Sequence, residues 1–166
     1  MKNNQLTQPK GISAEHINYL MTKGLDEDIA ALDMEMIKHK ISQPDELAWT
    51  AEQIESAELE YKRYLQLCKT KGRGMVPNKI MDEFWHYHIL DTRAYYKDCH
   101  AIFGGVLHHF PYFGIRGEED AMDLKNSFGK TKELYNMEFG EPMAREEHQS
   151  CWNDCENRCW HACSDE

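Results

Sequence analysis

Basic residues are scarce in this chain: 19 Lys and Arg stand against 29 Asp and Glu, a formal charge of -10. A nucleic-acid partner needs a basic surface for its phosphates, so this balance excludes that function class. It leaves a chain suited to solubility and to cationic ligands. Long apolar runs are missing, so the sequence offers no membrane span. The opening "MKNNQLTQPKGIS" has a Lys with no apolar stretch behind it, unlike a secretory leader. The expected compartment is the cytoplasm, where thiols stay reduced and clustered Cys are metal or redox ligands before they are disulfides. Strand-like alternation never persists. "KGRGMVP" lacks the phosphate-loop pattern, and no Ser or Cys stands in a recognisable nucleophile motif.

What is present is helical pattern and large side chains. The 166 residues suit one domain, and eight Tyr, six Phe and four Trp supply core volume. Residues 1–12 read as a flexible arm, 13–140 as a helical domain and 141–166 as a Cys-rich tail helix. Ser13 is placed to cap a short helix ended by Gly24. "DEDIAALDMEMIKHKI" reads as one helix with Ile29, Leu32, Met36 and Ile37 on a face. Thr50 and Gln53 form a capping-box signature. Behind them Ile54, Ala57, Tyr61, Tyr64, Leu65 and Cys68 recur at three- and four-residue steps. Pro77 fits the first turn of a helix running to about Ile102. An aromatic loop and a helix from about Glu118 to Met137 follow. The expected fold is all-α, an irregular bundle of five to six helices including a C-terminal Cys-bearing helix.

"DEFWHYHILDTRAYY" carries the first candidate chemistry. On one continuous helix His86 and His88 are about 200° apart and serve opposite faces. Asp82 lies four residues before His86, and Asp91 three residues after His88, so each imidazole has a carboxylate beside it. Asp82 and His86, completed by His108 or His109 from the aromatic loop, form a candidate zinc or iron site. His88 and Asp91 form a structural polar pair on the more apolar stripe.

These residues also carry a resemblance. Val76, Pro77, Asp82, Trp85, His86, His88, Asp91, Thr92, Tyr95, Cys99, His108, His109 and Gly114 match a pattern of the glycine-rich domain-containing protein-like family. The chain resembles that family from about residue 30 to 140. The resemblance implies no particular activity.

The tail "REEHQSCWNDCENRCWHACSDE" has no Gly or Pro. On a helix, His148, Cys151, Cys155, Cys159 and Cys163 form one slowly winding stripe, with neighbouring Cβ atoms about 5–6 Å apart. A disulfide needs about 3.5–4.5 Å, so the spacing disfavours bridges and suits thiolates joined through a soft ion, copper(I) or zinc. The sequence therefore reads as a cytoplasmic metal-binding protein, with the tail helix also available to a protein partner. The alternatives are a helical interaction module with structural His–Asp pairs, and a metal-dependent enzyme built on the histidine helix.

Overall fold

The computed structural model describes residues 10–143. The tail stripe of His148, Cys151, Cys155, Cys159 and Cys163, and most of the N-terminal arm, lie outside these residues. Within them the chain is all-helical. Seven helices run in order: α1 (Ala14–Thr22), α2 (Glu27–Ala30), α3 (Glu35–Ile41), α4 (Ala51–Lys71), α5 (Lys79–Leu90), α6 (Thr92–Phe103) and α7 (Glu118–Phe139). None of these helices is long and apolar enough to cross a membrane.

The count exceeds the expected one because two predicted helices are each broken in two. The stretch from Asp26 to Ile41 breaks between α2 and α3. There Asp33 accepts the Glu35 amide, and the buried Lys62 ammonium binds the Ala30 and Leu32 carbonyls at 3.0 and 2.9 Å. Those carbonyls accept from a side chain of another helix instead of from a continuing turn. The break resets the helical phase, so Ile29, Leu32 and Ile37 are buried while Met36 is 59% exposed.

The second break falls at Asp91, which ends α5 and caps α6. Its ψ of 72° leaves the helical region, and its carboxylate accepts the Ala94 amide at 3.2 Å. The helix expected from Pro77 to Ile102 is therefore two helices joined by a bend. It starts at Lys79 behind an Asn78 cap, which places Pro77 outside the first turn.

α4 is the axis of the fold. The predicted capping box is present at both Thr50 and Gln53, and the predicted stripe from Ile54 to Cys68 is buried. Tyr61 stacks on Phe84 of α5, and Tyr64 packs on Trp85. The far side of α4 is buried too, though it carries Glu58, Lys62, Arg63 and Gln66. Glu58 is paired with Lys38 and Lys62, and the other three are tolerated there because they close the ends of neighbouring helices. Lys62 takes carbonyls at the end of α2, Arg63 takes the carbonyl of the α1 cap residue Lys23, and Gln66 accepts the amide of the α2 cap residue Asp26. Each satisfies a backbone group that its own helix leaves unpaired.

Candidate metal centre

Asp82 sits in the first turn of α5, and His86 follows one turn later on the same face. His109 approaches from the loop between α6 and α7. The Asp82 Oδ1 to His109 Nε2 distance is 2.9 Å, His86 Nε2 to His109 Nε2 is 3.1 Å, and His86 Nε2 to Asp82 Oδ2 is 3.6 Å. His108, its neighbour in the loop, is exposed and does not join them. The sequence left the choice between the two histidines open. The structure brings His109 beside Asp82 and His86, and its ring packs edge-on against Trp85 at 4.7 Å between centroids.

Two Nε2 atoms in contact share at most one proton between them, since a donor needs a bare lone pair opposite. The carboxylate only accepts. A proton can therefore serve two of the three groups well at one time, whereas a cation at the centre would serve all three lone pairs. The side chains of Asp82, His86 and His109 are 34%, 45% and 18% exposed, so the cluster opens to water on one side.

The loop is tied down behind His109. Trp85 Nε1 donates to the Tyr95 hydroxyl at 2.9 Å, and that hydroxyl donates to the Leu107 carbonyl. The Trp85–Tyr95 contact depends on the bend at Asp91. On a straight helix, residues ten apart lie about 15 Å apart along the axis. The bend instead folds α6 back so that Tyr95 reaches Trp85.

The same bend corrects the assignment for His88. Its carboxylate partner is Asp98, not Asp91. His88 Nε2 lies 3.2 Å from Asp98 Oδ2, and Nδ1 lies 2.8 Å from the Tyr61 hydroxyl. Asp91 is committed to capping α6. Asp98 gave no sequence signal, because its approach to His88 exists only once the helix is broken.

A second cluster was not foreseen. His16, Glu55 and Glu58 also bring ligand atoms together. This one already holds a cation: the Lys38 ammonium contacts Glu35, Glu55 and Glu58 at 2.6, 3.1 and 3.0 Å. Glu58 contacts Lys62 as well. The separation of 42 residues between His16 and Glu58 hid the pair from any local pattern.

Cys68 and Cys99 are buried free thiols. Burial pushes the Cys68 thiol up to about 12. It raises Cys99 as well. Neither supplies a thiolate at neutral pH.

Residues 31–133 match the UCP032817-like family, and the chain belongs to that uncharacterised family. This match corrects the resemblance to the glycine-rich domain-containing protein-like family. The matched span includes Asp82, His86 and His109. No curated protein and no solved structure matches the chain.

Proposed function

We propose that this is a metal-binding protein whose helical domain holds one divalent transition-metal ion through Asp82, His86 Nε2 and His109 Nε2. The donor triangle carries the reading. A tetrahedral zinc with bonds of about 2.0–2.1 Å has ligand atoms about 3.3 Å apart. The three separations of 2.9, 3.1 and 3.6 Å bracket that edge. Imidazole and carboxylate suit zinc and iron(II).

One observation favours a second reading, a metal-dependent enzyme. Three protein ligands with an opening to water leave a coordination position free, as Lewis-acid catalysis requires. The four-residue cysteine period supports a separate soft-ion site, copper(I) or zinc, at Cys151, Cys155, Cys159 and Cys163, with His148 beside it. That site needs thiolates, and so a reducing compartment such as the cytoplasm.

The test is zinc stoichiometry of the full chain by equilibrium dialysis. His86→Ala and His109→Ala should each lose the same one equivalent, and His108→Ala should lose none. Unchanged stoichiometry in His109→Ala would overturn the reading.

A further inference from the structure

We infer that Tyr95 is a positioning residue for the metal centre: its hydroxyl, clamped between Trp85 and Leu107, sets where His109 stands relative to His86. This rests on the reading of Asp82, His86 and His109 as metal ligands. Indole nitrogen can only donate, so the Trp85 bond consumes an acceptor position on the Tyr95 oxygen and turns its proton toward Leu107. Trp85 is the residue before His86, and Leu107 is two residues before His109. One hydroxyl therefore joins the stretches of chain that enter the two histidines. Tyr95 is 7% exposed and Leu107 2% exposed, so water does not stand in for either bond.

The aromatic contact between Trp85 and His109 completes the arrangement. Removing the hydroxyl leaves a buried carbonyl without its donor and frees the loop to shift by the fraction of an ångström that ligand geometry does not tolerate.

The experiment compares Tyr95→Phe with Tyr61→Phe in the full chain. Both delete a buried hydroxyl, but Tyr61 bonds His88 and not the loop. Zinc affinity is measured by chelator competition for the equivalent that His109→Ala removes, alongside the thermal midpoint without metal. Both variants should melt lower. Tyr95→Phe should also bind that zinc about 10–100-fold more weakly, the usual effect of losing a group that orients a ligand, while Tyr61→Phe should keep wild-type affinity.

Zinc affinity of Tyr95→Phe within twofold of wild type, or an equal loss in Tyr61→Phe, would overturn the inference and leave the metal centre standing. Wild type that binds no zinc through His109 would overturn both. If circular dichroism shows Tyr95→Phe unfolded, Trp85→Phe replaces it. That change removes the donor that fixes the hydroxyl, and a smaller loss in the same direction is expected; no loss overturns the inference.

Discussion

His88 and His86 differ by two positions in one helix, yet the His86 side chain opens to water while His88 is enclosed. His88 is 1% exposed. Burial lifts the Tyr61 phenol well above its ordinary range, so it stays neutral. The Asp98 carboxylate accepts only, which places the imidazole proton on Nε2 and leaves Nδ1 to accept the Tyr61 hydroxyl. Every polar atom of the ring is thereby used inside the protein. His88→Ala should leave Tyr61 and Asp98 short of a partner and cost about 1–3 kcal/mol, before any cavity effect. Added zinc should raise the stability of wild type and of His88→Ala by equal amounts, because no ligand is lost. Urea unfolding of both proteins with and without zinc checks this; a zinc-dependent gain abolished in the variant would contradict the structural role.

At the scale of elements, the bend at Asp91 does more than any single helix. It brings Asp98 to His88 and Tyr95 to Trp85, and it is the feature the sequence hid most completely. Apolar residues continue at helical spacing on both sides of Asp91, so periodicity alone reads one helix. The only local hint was an Asp able to cap a new helix starting at Thr92. The break between α2 and α3 was hidden for a different reason: its cause, Lys62, lies 30 residues downstream. By contrast, the Ser13 cap and the Thr50–Gln53 box were legible because their partners are three residues away.

The loop between α6 and α7 shows the same division. Its helical boundaries at Gly104 and Glu118 were legible in the sequence, but its internal fold depends on Asp120. That carboxylate accepts the Gly114 and Arg116 amides and the Arg116 guanidinium, which hold it at about 2. Gly114 has φ of +94°, and a Cβ there would stand 2.4 Å from Leu124 Cδ2. Gly114→Ala should destabilise the domain by about 1–2 kcal/mol through backbone strain alone. Gly105→Ala, where a Cβ meets nothing within 4 Å, should cost less. Equal denaturation midpoints for the two variants would remove the strain argument.

Taken as a whole molecule, the fold has α1 and α3 tied to α4 by an ion network. Glu58 on α4 faces Lys62 through Oε1, and Lys38 of α3 and His16 of α1 through Oε2. The two partners of the Glu58–Lys62 pair shift in ways that favour it unequally. Burial raises the Glu58 carboxyl, but the Lys62 and Lys38 ammoniums together outweigh burial and hold it below the usual range. For Lys62 burial is the largest influence, and it lowers the ammonium despite the Glu58 carboxylate beside it. Glu58 is therefore the member whose ionisation supports folding at neutral pH. Its folded value lies below the unfolded value of about 4.3, so its contribution is full above that pH and is lost as pH falls through the folded value. Glu58→Gln leaves Lys62 buried without its counter-charge and should cost about 3–5 kcal/mol at pH 6. Relief of the chain's net negative charge on acidification acts on both proteins alike, so the difference between them isolates Glu58. Urea unfolding at pH 6, 5, 4 and 3 should show the gap constant down to about pH 5 and narrowing below about 4.3, as protonation makes the wild type resemble the variant. A gap that widens on acidification would mean the ionised carboxylate opposes folding, contrary to the network's geometry.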